Sequence, residues 1–167
     1  MSIHFGDNTQ IDTATGLGAK LGQVKHGFCD VFSSSNSSYV DTGLSVTITP
    51  ASSSSKFLIL INGIGSTSSD NSGQGVFRLV RGSTTVANQK VIADNNNQNG
   101  NAFAVVEGQR ERYPVTTALF DEPSTTNSIT YKLRVASPQG STAYLGRWGI
   151  NNDWSVNTYM TVFEILS

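Results

Sequence analysis

The stretch Ser45-Val-Thr-Ile-Thr-Pro-Ala-Ser-Ser-Ser-Ser-Lys-Phe-Leu-Ile-Leu-Ile61 decides how the chain is read. At its start, Leu44, Val46 and Ile48 alternate with Ser45, Thr47 and Thr49, the period of a strand with one face in a core and one in water. Pro50 stops that strand, because it has no N–H for a ladder and its φ is fixed. Ala51–Ser55 is polar and short, and Lys56 restarts a strand in Phe57–Ile61. A domain linker at the serines would leave an upstream piece too small to hold a core. The serines therefore read as a corner inside one folded unit.

Working outward, the same alternation recurs. In Ile129–Val135, residues Ile129, Tyr131, Leu133 and Val135 fall on one face and Thr130, Lys132 and Arg134 on the other. Further strand candidates are Gln23–Phe32, Gly75–Arg81, Thr85–Ile92, Ala102–Glu107, Val115–Phe120, Thr142–Leu145 and Thr158–Leu166. Turn-rich segments separate them: Ser33–Ser38, Ser66–Gly73, Asp94–Asn101, Ser124–Ser128 and Pro138–Ser141. No window carries apolar residues at helical spacing. About ten short strands so spaced predict an all-β chain, an antiparallel β-sandwich or jelly roll over residues 23–167. Residues 1–22 carry Gly6, Gly16, Gly18 and Gly22 with little apolar content. They read as an extended N-terminal arm, with Ile3, Phe5 and Ile11 as its apolar anchors.

Only 14% of residues are charged, against roughly 25% in ordinary soluble domains. Ser, Thr and Asn take their place, a surface that suits an extracellular or particle-borne β protein. Net charge is −1, from 11 basic and 12 acidic residues, and neither sign gathers anywhere. That argues against nucleic acid as a partner, which calls for a basic stripe. The longest apolar run, Phe57–Ile61, is too short to span a bilayer, so no membrane partner is expected. Met1–Asp7 lacks the charged and apolar regions of a secretory signal. A protein with such a surface and no export signal must leave the cell another way, and release by cell lysis as part of a virus particle is one such way. Cys29 stands alone, so no disulfide framework exists within the chain.

The search for chemistry yields little. No Gly-x-Ser-x-Gly elbow, phosphate-binding Gly-rich loop or paired-histidine motif is present. His26 and Cys29 lie three apart on a strand and so face opposite ways. Asp94-Asn-Asn-Asn-Gln-Asn-Gly-Asn101 is rich in oxygens but has neither glycine at the sixth position nor the distant glutamate of a calcium loop, and reads as a solvated hairpin loop. Asp121-Glu122-Pro123 reads as a strand end rather than an acid pair, since sequence neighbours on a strand diverge. We expect no catalytic residue, no cofactor and no metal.

Two strands are apolar on both faces. In the first, Phe57, Ile59 and Ile61 oppose Leu58 and Leu60. In the second, Tyr159, Phe163 and Ile165 oppose Met160, Val162 and Leu166. Such a strand is either central with loops over its second face or packed there on another subunit. On the second reading Phe57, Ile59, Ile61, Tyr159, Phe163 and Ile165 form an oligomer interface, and Glu164 needs a partner such as a neighbour's arginine. A separate surface, Tyr144–Tyr159, holds both tryptophans beside amide groups. Tyr144, Trp148, Asn152 and Trp154 are candidates for glycan contact, unless the tryptophans fold inward as a cap.

Several segments resemble a module of tailed-phage structural proteins: Ser38-Tyr-Val-Asp-Thr-Gly-Leu-Ser-Val-Thr-Ile-Thr-Pro50 with Ser52–Lys56, Phe77-Arg-Leu-Val-Arg-Gly-Ser-Thr84, and Leu119–Thr126 with Ile129–Leu133. The module is found at the distal ends of tail fibres and tailspikes, and the likeness covers about residues 23–167. Ile3-His-Phe-Gly-Asp-Asn-Thr-Gln10 is similar to the Phe-x-Asp-Gly-Thr-x-Gln element of fibre proteins, with Asn8 in place of its glycine. The resemblance implies a non-enzymatic, trimeric β-sandwich on a virion. With only about 20 residues ahead of the sandwich and no shaft, the chain fits a capsid decoration or cement protein better than a fibre. The partners expected are its own copies, as a homotrimer, and the phage major capsid protein. The location expected is the outer capsid surface. The alternative is a tail fibre tip that binds a host surface glycan.

Overall fold

The computed structural model describes residues 3–4, 10–11, 20–68, 73–86, 102–107, 113–148 and 154–166. Two short strands, Ile3–His4 (β1) and Gln10–Ile11 (β2), pair antiparallel. There follow Lys20–Cys29 (β3), Phe32–Ser34 (β4), Val40–Ile48 (β5), Lys56–Asn62 (β6), Ile64–Thr67 (β7), Gln74–Arg81 (β8) and Thr84–Thr85 (β9). The second half holds Ala104–Glu107 (β10), Tyr113–Pro114 (β11), Thr117–Asp121 (β12), Ile129–Ala136 (β13) and Ala143–Leu145 (β14). Arg147–Trp148 (β15), Trp154–Ser155 (β16) and Thr158–Leu166 (β17) complete it. No helix occurs among the described residues.

Several of these strands continue one another. β6 and β7 follow one line across Gly63, β3 runs on into β4, and β11 into β12. β14 and β17 both lie between the same two neighbours, end to end. Counted this way, eight long strands remain. The first, eighth, third and sixth make one sheet (β3/β4, β14/β17, β6/β7, β11/β12), and the second, seventh, fourth and fifth make the other (β5, β13, β8, β10). All pairings are antiparallel. That strand order is the wiring of a jelly roll.

The core lies between the two sheets. Phe57, Ile59, Ile61, Leu119, Met160 and Val162 from the first meet Leu44, Val46, Ile48, Phe77, Leu79 and Leu133 from the second. Phe57 and Tyr131 meet across the core with ring centroids 6.1 Å apart, tilted by 55°. The alternation expected of Leu44–Ile48 and Ile129–Val135 is present, buried residue by residue. The serine corner is a turn, closed by the Ser55 N–H donating to Ser52 O at 3.1 Å.

The sequence reading needs correction at two places. Ser66 was assigned to a separator, yet Ile64–Thr67 is a strand whose Ser66 and Thr67 are buried. Gly65 within the strand and Gly63 just before it allow close approach. A Cβ on Gly63 would stand 2.5 Å from Thr158 Oγ1, and one on Gly65 3.0 Å from Val106 and Val115. β3 begins at Lys20, three residues before the start read from sequence. Ile3 and Ile11 are register partners in the β1–β2 pair, and Phe5 lies outside the described residues.

Candidate functional site

The outer face of the first sheet is apolar. Register brings its residues into rows across four strands: Val24, Phe163, Leu58 and Phe120; His26, Thr161, Leu60 and Ala118; then Phe28, Tyr159 and Asn62. Gly27 fixes which way β3 faces. A Cβ there would come within 2.7 Å of Ser45 O in the opposite sheet, so Gly27 points inward and its neighbours His26 and Phe28 point out. Large side chains on this face are open to solvent: Phe120 is 59% exposed, Phe28 58%, Val24 48%, Tyr159 42% and Leu60 38%. Three rows about 7 Å apart on strands about 4.8 Å apart give a face of roughly 300–400 Å². That is the scale of the largest apolar patch on an ordinary monomer, and such patches are often functional. At its rim Lys56 pairs with Glu122 at 2.9 Å. A charged pair thus borders the apolar centre.

The outer face of the second sheet is built differently. Asp41 takes Lys132 Nζ at 2.8 Å and lies 2.9 Å from Arg134 Nε. Arg134 donates to Tyr39 O at 2.6 Å, and the Arg78 guanidinium lies 3.7 Å over the Tyr39 ring. Hydrogen bonding and charge from Lys132, against a smaller cost of burial, hold the Asp41 carboxyl below its ordinary range. This face carries charges that answer one another in water; the first carries apolar surface that nothing described covers.

The six residues expected at an interface divide between the two sides of the first sheet. Phe57, Ile59 and Ile61 are fully buried between the sheets and are core, so that half of the expectation is corrected. Leu58 and Leu60 are the outward residues of the same strand. Tyr159 and Phe163 lie in the rows above, and Ile165 continues that side beside Leu21, which is 64% exposed. Both sides of Phe57–Ile61 are apolar, so the strand alone gave no sign of which side turns inward. Lys56 and Asn62, which flank Leu58 and Leu60 on the outward side, were the signals available.

Glu164 also differs from expectation. It is fully buried, and its partners belong to its own chain. Oε1 accepts from Ala51 N at 2.6 Å and from the Ser55 hydroxyl at 2.7 Å. Oε2 accepts from the Gln23 side chain at 3.0 Å and its backbone N–H at 3.4 Å. Burial pushes this carboxyl up, but the bonds from Ser55, Ala51 and Gln23 outweigh it and hold it below the usual range. No arginine is needed. Asp121 likewise has a structural place: its Oδ2 accepts from Arg81 Nε at 2.7 Å and from the buried Tyr131 hydroxyl at 2.8 Å. Glu122 turns the other way, to Lys56, so the two adjacent acids do not act together.

Cys29 is half-buried against the core, and burial, with Asp30 beside it, pushes its thiol up to about 11. His26 faces the opposite side of the strand. At neutral pH that sulfur is a thiol, a poor nucleophile. Among the described residues no three His, Cys, Asp or Glu side chains gather as a metal site would require. Asp94–Asn101 lies outside the described residues.

The tryptophan stretch forms a short excursion from the first sheet. β14 ends at Leu145, Gly146 turns with φ +71°, and β15 and β16 pair before β17 resumes the strand. Trp148 and Trp154 are register partners in that pair. Tyr144 sits in the sheet beneath, with the Arg147 guanidinium 4.3 Å over its ring. Asn152 lies outside the described residues.

No protein-family model matches this chain, and no curated protein matches it.

Proposed function

We propose that the chain is a structural protein of a virus particle, a homotrimer that decorates the outer surface of a tailed-phage capsid and binds its major capsid protein. The observation that supports this reading is the exposed apolar face of Val24, Phe28, Leu60, Phe120 and Tyr159. Burying it against copies of the chain removes the surface a lone protein keeps in water at greatest cost. The threefold order and the phage setting rest on the resemblance of the segments quoted from Ser38 to Leu133. On this reading the protein is inert chemically and acts by adding contacts between capsomers, with residues 1–22 gripping the shell.

Light scattering of the purified chain at micromolar concentration tests the assembly, and a stable monomer would refute it. Imaging of particles with and without the protein tests the location. Heads that become fragile without it support cementing. A second reading, a tail fibre tip contacting host glycans, draws on the register pairing of Trp148 with Trp154 in the β15–β16 excursion. Intact particles that fail to adsorb would favour it.

A further inference from the structure

We infer that Arg78 is a receptor for an oxyanion, a group with phosphate or carboxylate oxygens, on the outer face of the second sheet, with Arg134 adding its charge beside it. Phe77 and Leu79 point into the core, so Arg78 between them points out. Arg134 is its register partner on β13, turned outward in the same way by the buried Leu133 and Val135. Two guanidinium groups therefore stand side by side on neighbouring strands.

The two are held differently. Arg134 donates to Tyr39 O at 2.6 Å and lies 2.9 Å from Asp41, which also takes Lys132. Arg78 has no part in that exchange. Its guanidinium lies 3.7 Å from the centroid of the Tyr39 ring, and its N–H groups meet no acceptor among the described residues. Stacking fixes the plane of the guanidinium without satisfying it. Nε is buried, so the two terminal N–H₂ groups are the donors left to a ligand. That end of an arginine grips two oxygens of one carboxylate or phosphate at once.

Charge points the same way. In the cluster around Arg78 three cations, Arg78, Lys132 and Arg134, stand against one carboxylate, Asp41. Burial above all, with the Arg134 charge adding to it and the Tyr39 oxygen opposing, brings the Arg78 pKa below its ordinary value. An arginine keeps its proton at any working pH, so that cost is answered by a counter-ion instead. An oxyanion set against the terminal N–H₂ groups supplies the missing acceptors and the missing negative charge together.

Titration of the full chain with inorganic phosphate and with acetate tests this. Sodium chloride holds the ionic strength constant, and the amide NMR signals of Tyr39, Arg78 and Arg134 are followed. Saturation at roughly 1–10 mM is expected, the strength of one exposed charged fork. Saturation by phosphate alone assigns the site to phosphate groups, by acetate alone to carboxylates, and by both to oxyanions in general. Arg78→Gln should weaken binding about tenfold or more, and Arg78→Lys, which keeps the charge but loses the fork, about fivefold. Shifts that never saturate with either anion, or that saturate equally in Arg78→Gln, overturn the site. Should Arg78→Gln lose its fold by circular dichroism, unchanged affinity in Arg78→Lys overturns it.

Discussion

The Ser55 hydroxyl donates to Glu164 Oε1 at 2.7 Å, tying the serine corner to a strand 109 residues further along the chain. The corner is thus held by the strand beside which it turns. Glu164→Gln should lower stability by about 1–3 kcal/mol, because at least one donor among Ala51, Ser55 and Gln23 then meets an amide N–H₂. Glu164→Ala should cost more, about 3 kcal/mol, since all of them lose their acceptor. Urea titration of each variant at neutral pH reads the difference.

The same carboxylate sets an acid limit. Its folded-state pKa lies below that of an unfolded glutamate, so its contribution is complete above about pH 4.3 and is lost as pH falls through the folded value. Wild-type stability should fall in that acidic window. The Glu164→Gln protein should show a shallower fall, measured by thermal melts between about pH 5 and about pH 2.5.

Gly63 and Thr158 are packed too closely for a side chain between them, with a Cβ on Gly63 falling 2.5 Å from Thr158 Oγ1. Gly63→Ala should destabilise the protein by about 1–3 kcal/mol through overpacking. Adding Thr158→Ala should recover part of that loss. A double-mutant cycle gives the coupling, and additive effects would show that the strand relaxes there.

Substitutions on the open face should separate folding from assembly. Phe120→Asp or Leu60→Lys replaces a side chain already in water, so the melting temperature of the isolated chain should move little, within about 0.5 kcal/mol. Association measured by sedimentation should be lost in both.

Cys29 should be slow toward thiol reagents at neutral pH. The rate should climb with pH toward about 11, where the buried thiol ionises. Labelling by a chromogenic disulfide across that range reads it, and rapid reaction at neutral pH would show the strand end opening.

Much of this fold was legible because burial has a period. Leu44–Ile48 and Ile129–Val135 each show one face to water, and polar alternation declares the other to be core. Legibility failed where that contrast vanished. Phe57–Ile61 is apolar on both sides, so the inward set was assigned to the surface although Leu58 and Leu60 are the outward pair. Ile64–Thr67 was lost for the opposite reason: Ser66 and Thr67 open a polar run that reads as a separator, while Gly65 is small because Val106 and Val115 pack tightly against it. Glu164 could be recognised as a buried charge needing partners, but finding them required knowing which distant loop the last strand passes.

The excursion between Leu145 and Thr158 leaves the first sheet and rejoins it between the same two neighbouring strands. Its root is closed by the Val156 N–H donating to Gly146 O and the Gly146 N–H to Ile64 O, at 2.9 and 2.8 Å. The Ser66 hydroxyl donates to Arg147 O at 3.0 Å, so the first residue of β15 is tied to the sheet as well. A chain that leaves and re-enters one strand position in this way keeps the hydrogen bonding of the sheet continuous, so changes confined to the β15–β16 pair should leave the two sheets in register.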